Sequence, residues 1–555
     1  MKHTIRARFG AALVCLAILA LAALPRLGQL EVPLTEDEPD WFERSARFAR
    51  ALREGDAEST FRTGHPGVTS MWLGALGMGL ERAAALSGER LTLLSEPERE
   101  AFLGARRAMA LASLALLGIV ILLLARLFGL TAAALAGLLL ALDPWLVGHS
   151  RVLHLDGLFS ALVAICVLAC LARWRQRGGL GYLALAGLAA GLAALTKSTA
   201  LAVLPPILVM LALAAIWQAR SRRPWVPLAD LVAIGALGCL VGLLVWPALR
   251  LDPLGTVDEV IRFSVESGTE THDLGSYFLG QAVNDPGLTF YLLVLAFRLS
   301  PLLLLGLLLW LGGLVLQRAT RAGTRPAPTP RTEGSPLTTP VGAGLVPARV
   351  AIASPGNGAV WLVVCALLVV LVMSVGAKKQ DRYALPAVVL LAGVSAVGFQ
   401  RLVGRVGVQR LSAPLGRVPT RALVIGGVGL LQLALCAGAR PYYLSFYSPL
   451  LGGAPAARQV MLIGWGEGLD HIAEYVNHPP PDVRVRRVAA TRSIRGPFRS
   501  QVRNLLDDES RPQAEFLVTY VNAIQRGQDR PPESARPLLI VRIDGVEYAG
   551  LYALP

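Results

Sequence analysis

Runs of about 20 apolar residues alternate with short polar stretches along most of the chain, starting near Phe9, Ala105, Leu130, Leu158, Gly181, Thr199, Val226, Leu288, Ala359, Tyr383 and Ala422. A hydrocarbon core of about 30 Å needs a helix of roughly that length. Backbone groups in lipid must also be bonded within their own segment. The pattern therefore predicts an all-α polytopic membrane protein of about eleven transmembrane helices. Arg298 and Pro301 interrupt the eighth run, and its first part, LTFYLLVLAFR, is expected to lie along the interface before the span proper. From about Arg440 the hydropathy falls. Alternating apolar positions in EFLVTYV and PLLIVRIDGVEYAGLYAL predict strands, with a turn at Asp544-Gly545 and a helix around Gly468 to Val476. The chain thus divides into a membrane part, 1–439, and a small α/β domain, 440–555, outside the cytoplasm.

Composition supports the membrane reading. Of 555 residues, 54% are hydrophobic and 16% charged, whereas a soluble chain carries about a quarter charged residues. Mean hydropathy is +0.54. A formal charge of +15 would suit a nucleic-acid partner. However, the arginines sit in clusters between apolar runs: Arg126; Arg173, Arg175 and Arg177; Arg220, Arg222 and Arg223; Arg318 to Arg349; Arg401 to Arg421. They mark every second connection, as the positive-inside rule requires when the basic N-terminus is cytoplasmic, and no nucleic-acid face results. The expected location is a bacterial inner membrane. Lys2, Arg6 and Arg8 before Phe9 to Leu27 would also suit a signal peptide, but no small-residue cleavage motif follows, so the stretch reads as an uncleaved first span. The Pro-, Thr- and Arg-rich stretch 317–358 reads as a flexible cytoplasmic linker. All six cysteines lie in apolar runs and read as packing residues.

The same topology puts the acidic, His-bearing and Lys-bearing loops on the outer side. Asp37 and Glu38 follow the first span and start an amphipathic helix whose Trp41, Phe42, Ala46, Phe48 and Ala49 are expected to rest on the membrane interface. The carboxylates then face a lipid headgroup layer, or else they cap the helix. Asp156 stands at the outer start of the fourth span, beside Arg151 and His154, where a carboxylate needs a function or a partner such as Arg151. Lys197 has no acidic neighbour in sequence, so it snorkels or meets an anion, phosphate for example. Lys378, Lys379 and Arg382 run against the orientation signal, which a phosphate clamp or surface solvation would explain.

In order along the chain, Asp37-Glu38, HPGVTSMW (His65 to Trp72), RVLHLDGLFSALVAI from Arg151, LALAGLAAGLAALTKSTALAVLPP from Leu183 and KKQDRYALP from Lys378 resemble one group of enzymes. These are the protein O-mannosyltransferase and aminoarabinose-transferase glycosyltransferases, family 39-like, of the GT-C superfold. The resemblance implies inverting transfer of a sugar from a polyprenyl-phosphate donor to a hydroxyl on a protein, lipid or glycan acceptor, at the outer face. It implies Asp37 as general base, with Glu38 orienting Asp37 or the acceptor. It makes His65, Arg151, Asp156, Lys197, His272, Lys378, Lys379 and Arg382 the substrate-binding candidates. No cofactor is called for, although relatives of the aminoarabinose-transferase type are seen with a divalent metal, for which His65 and His272 are the candidates; either residue would serve equally as a hydrogen-bond partner of sugar or phosphate. The rival reading is a transporter or flippase of lipid-linked saccharides, which predicts polar residues within the spans and an internal repeat of broken helices. Neither is evident. A non-catalytic assembly or sensor protein would leave the converging outer loops unexplained.

Overall fold

The computed structural model describes residues 2–86, 93–219, 225–323, 355–406, 420–507, 509–528 and 530–555. Each predicted apolar run is helical in it. Among the described residues, seven helices are long and apolar enough to cross a bilayer: Glu96–Phe128, Asp156–Arg175, Ala200–Trp217, Trp225–Val245, Gly358–Val375, Asp381–Gly404 and Arg421–Gly438. The interrupted run makes an eighth candidate from two helices, Phe290–Arg298 and Pro301–Gln317, which meet at 109°. Pro301 has no N–H to continue the helix. Arg298 turns inward, where Asp381, the Tyr447 hydroxyl and the carbonyls of Leu444 and Phe446 take up its donors.

Length and composition thus support seven or eight spans where about eleven were expected. The other three runs are shorter apolar helices, Ala12–Leu27, Leu130–Leu142 and Leu180–Thr196. Leu130–Leu142 rises only about 20 Å. It stops there because Asp143 caps a new helix, accepting from the Leu146 N–H at 3.1 Å, with Pro144 in the first position. The Asp156–Arg175 helix is the most enclosed of the long ones, and Trp225–Val245 lies at the periphery with Val232, Leu240 and Leu244 exposed. An apolar rim of this kind is what lipid-facing helices present.

The helix after the first loop, Glu38–Glu54, differs from expectation in its setting. Its apolar face is buried against protein: Trp41, Phe42, Ala46, Phe48 and Ala49 join Val68, Met71, Phe102, Met109 and Leu153 in one core. Much of that cover comes from a helix absent from the sequence reading, Val68–Met78. The stretch read as a linker is helical at both ends, since Pro301–Gly323 continues past 317 and Pro355–Val375 begins before 358. Residues 324–354 lie outside the described residues.

The segment between the Trp225–Val245 and Phe290–Arg298 helices holds a hairpin of β1 (Ser276–Phe278) and β2 (Gln281–Val283), and Phe278 bridges to Met461 of the C-terminal part. That part holds β3 (Val488–Ala490), β4 (Phe516–Tyr520), β5 (Arg536–Ile543) and β6 (Val546–Ala553), in the order β3-β4-β6-β5, with β3 and β4 parallel and the other pairs antiparallel. Asp544 and Gly545 both have positive φ, as a tight hairpin turn between β5 and β6 requires. The Leu469–Asn477 helix buries Leu469, Ile472 and Val476 toward this sheet.

Candidate active site

Asp37 occupies the N-cap position of the Glu38–Glu54 helix, yet its carboxylate makes no capping bond. It turns to Arg382 instead, whose Nη2 donates to Oδ2 at 2.9 Å, and to His154, whose Nε2 lies 3.3 Å away. Behind this contact, Lys197 Nζ donates to Asp156 Oδ1 at 2.6 Å. Asp156 Oδ2 lies 3.2 Å from both Arg382 Nε and His154 Nδ1. Those two approaches lack hydrogen-bond alignment and act as charge contacts. Helix ends bring the groups together. Asp156 is the first residue of one helix, Lys197 follows the last residue of the next, and Arg382 lies in the short turn leading into Leu385–Val406.

Burial works to raise the Asp37 carboxyl, but the Arg382 guanidinium and the His154 imidazole outweigh it and hold it well below the usual carboxylate range. Burial alone would lower His154; carboxylates on both of its nitrogens reverse that and raise it. Two carboxylates therefore face Arg382, Lys197 and a readily protonated imidazole, so the cluster carries surplus positive charge when His154 is protonated. Over it lies a polar cavity of about 100 Å³, bordered by Glu36, Asp37, His272, Arg382, Trp465 and Arg526 among others. Glu36 accepts from Asn522 Nδ2 at 2.5 Å, and burial, with the Asp37 charge adding to it, pushes its carboxyl up to about 8. Burial lowers His272 to about 4, helped by Arg526. Burial also lowers His149, on the cavity wall, to about 3.

Of the residues singled out from the sequence, Asp37, His272, Lys379 and Arg382 border the cavity. Asp156 and Lys197 stand behind it, and the anion that Lys197 meets is Asp156 itself. Arg151 is not the partner of Asp156. It donates to the carbonyls of Pro25, Gly28 and Gln29 and ties down the chain leaving the first helix. Lys379 Nζ is bound to Asp285 Oδ1 at 2.6 Å and to the Gly376 carbonyl at 2.5 Å. Lys378 is half-buried and is absent from the cavity wall. His65 is absent from the cavity wall; its Nδ1 lies 3.0 Å from Ser198 Oγ, and burial, aided by Lys197, lowers it to about 3.

Glu38, expected to orient Asp37 or the acceptor, is absent from the cavity wall. It is fully buried and paired with Arg106, whose Nε donates at 2.7 Å and whose Nη2 also binds it. It accepts further bonds from the Thr35 N–H at 3.0 Å and the Leu153 N–H at 2.8 Å. Glu38 thus fixes the backbone on which Asp37 sits. No three or more His, Cys, Asp or Glu side chains among the described residues could hold a metal ion, and only His272 of the two candidates for a divalent metal borders the cavity.

Residues 98–246 match the family model described as dolichyl-phosphate-mannose-protein mannosyltransferase. Over that stretch the chain is similar to the protein mannosyltransferases. The match contains Arg106, His149, His154, Asp156 and Lys197, while Asp37 and Arg382 flank it in sequence and meet it in space. Among solved structures, ArnT from Cupriavidus metallidurans bound to undecaprenyl phosphate is 16% identical with a TM-score of 0.44, covering 98% of this chain and 97% of that one. The oligosaccharyltransferase AglB from Archaeoglobus fulgidus, in complex with an inhibitory peptide and a dolichol-phosphate, is 12% identical with a TM-score of 0.49, covering 93% and 70%. The S. cerevisiae Pmt1-Pmt2 O-mannosyltransferase bound to its sugar donor is 16% identical with a TM-score of 0.36, covering 48% and 39%. No curated protein matches the chain.

Several groups in the cavity were not singled out from the sequence. Glu36 belongs to the acidic run TEDEPD, where nothing distinguished it from its neighbours; Trp465, Asn522 and Arg526 come from the tail, which was given no chemistry. Glu36 has a measurable signature. Its folded-state value lies above the ordinary one, so its stabilising contribution is complete below the ordinary carboxyl range and is lost as pH rises toward about 8. Across that window wild type is expected to lose melting temperature relative to Glu36→Gln, which has nothing to titrate. Parallel melting profiles would show instead that Glu36 ionises freely.

Proposed function

We propose that the chain transfers a sugar from a polyprenyl-phosphate carrier to a hydroxyl acceptor, with inversion at the anomeric carbon, on the non-cytoplasmic face of a bacterial inner membrane. On this reading all eleven apolar runs are embedded and the C-terminal sheet lies outside. The observation that carries it is Asp37, a carboxylate at a polar cavity, its side chain 38% exposed, shared between a guanidinium and an imidazole.

The acceptor hydroxyl donates its proton to Asp37 while its oxygen attacks the anomeric carbon. The bond from that carbon to the phosphate oxygen breaks, and its electrons leave with the phosphate. A carboxylate held as low as Asp37 is always ionised at neutral pH but accepts protons weakly. Arg382 offers the remedy, because each bond it gives to the donor phosphate is withdrawn from Asp37, whose basicity rises once the donor is bound. Arg382 and protonated His154 then place positive charge where the leaving phosphate develops its own, with Arg526 on the cavity wall beside them.

An apolar groove of about 500 Å³ suits the carrier. It runs between the Leu180–Thr196, Ala200–Ala219 and Trp225–Val245 helices and is lined by Pro66, Leu195, Leu204, Ile234, Trp246 and Val260 among others. Pro66, in its lining, adjoins His65 and, through the His65 contact to Ser198, the Lys197 corner of the charge cluster. A prenyl chain lying there would bring its phosphate to the cluster from the bilayer side. Purified protein in liposomes, given radiolabelled polyprenyl-phosphate sugars and a membrane extract, is expected to move label onto an acceptor. Label that crosses the bilayer still attached to its lipid would favour the flippase.

A further inference from the structure

We infer that Trp465, supplied by the C-terminal part of the chain, is a positioning residue for the sugar transfer, holding Arg382 and His154 about Asp37; the inference rests on the transferase reading above. The Arg382 guanidinium carbon lies 4.3 Å from the centre of the indole ring. His154 meets that ring edge-on, with centroids 5.0 Å apart, and His149 lies tilted against it at 5.6 Å. A guanidinium that must address Asp37 with Nη2 and Asp156 with Nε needs its plane fixed, and an aromatic face does that while still favouring the charge.

The loop that delivers the indole is built for close approach. In GWGEG, Gly464, Gly466 and Gly468 have φ of 88°, 120° and 85°. A Cβ at Gly466 would fall 2.1 Å from the Leu34 carbonyl oxygen, and one at Gly464 would fall 2.6 Å from Val521. Only glycine lets the loop lie directly on the segment before Asp37. Three bonds hold it there. The Glu36 N–H donates to the Trp465 carbonyl at 3.2 Å, the Gly466 N–H donates to the Tyr520 hydroxyl at 2.7 Å, and that hydroxyl donates to Glu467 at 3.0 Å. The C-terminal sheet, through Tyr520 at the end of β4, thereby sets the position of the base as well as of its partners.

The test compares Trp465→Phe, Trp465→Leu and Trp465→Ala in full-length protein, reading kcat, KM for the lipid donor and the pH profile. Leu and Ala are expected to lower kcat roughly 10²-fold, the scale of a small misplacement at a reacting centre, with donor KM raised to the extent that Arg382 also holds the phosphate. Phe keeps an aromatic face and should retain most of the rate. Because Arg382 holds the Asp37 carboxyl low, loosening it raises that carboxyl, so the acid limb should move to higher pH in Leu and Ala. Should the Ala variant fail to fold, Leu, which fills more of the space, decides. Wild-type kcat and acid limb in Trp465→Leu, or equal losses in Phe and Leu, overturn the inference. A wild-type protein that transfers no sugar overturns the transferase reading itself.

Discussion

Asp37→Asn is expected to lower the turnover of sugar transfer roughly 10²–10⁴-fold, the usual contribution of a positioned general base, while leaving the fold and the affinity for the lipid donor near wild type. The amide matches the carboxylate in shape but cannot take the acceptor proton. The fold should tolerate it, because the side chain is partly exposed and Arg382 retains Asp156 as a counter-ion. Turnover with labelled donor, read beside the melting temperature in the same detergent, checks both halves. Undiminished turnover would remove Asp37 from the role.

One residue along, the expected effect is on stability. Glu38→Ala leaves Arg106 buried without its counter-ion and also strips acceptors from the Thr35 and Leu153 N–H groups. Breaking a buried pair in this way costs about 3–5 kcal/mol, so the variant should melt far below wild type. Glu38→Leu combined with Arg106→Met should recover part of the loss, since the buried charge is gone although the two N–H groups stay unsatisfied. A Glu38→Ala protein that melts like wild type but transfers nothing would instead place Glu38 in the chemistry.

These neighbouring carboxylates show what the sequence could and could not reveal. A charge just beyond an apolar run was legible, and so was a cation cluster defying the orientation rule; these two signals located Asp37 and Arg382. Which of Asp37 and Glu38 faces the cavity depends on Arg106, which is buried in a helix that reads as an ordinary span. The pairing of Lys197 with Asp156 was hidden for a similar reason, since it joins the ends of two helices. The apolar stripe of Glu38–Glu54 was legible too, but a stripe does not say whether lipid or protein covers it. Here much of the cover is the Val68–Met78 helix, which the sequence pattern did not predict. Apolar runs likewise announced helices without fixing which ones are long enough to span. Trp465 was the least legible group, because its role depends on a glycine-built loop meeting a segment more than 400 residues earlier in the chain.

The most direct test of an inverting transfer assisted by Asp37 is the anomeric configuration of the product. Purified wild-type protein, given a polyprenyl-phosphate sugar isotopically labelled at the anomeric carbon and a membrane extract, should yield acceptor-linked sugar whose configuration is opposite to that in the donor, as read by NMR. Retained configuration would contradict direct attack by an acceptor activated at Asp37.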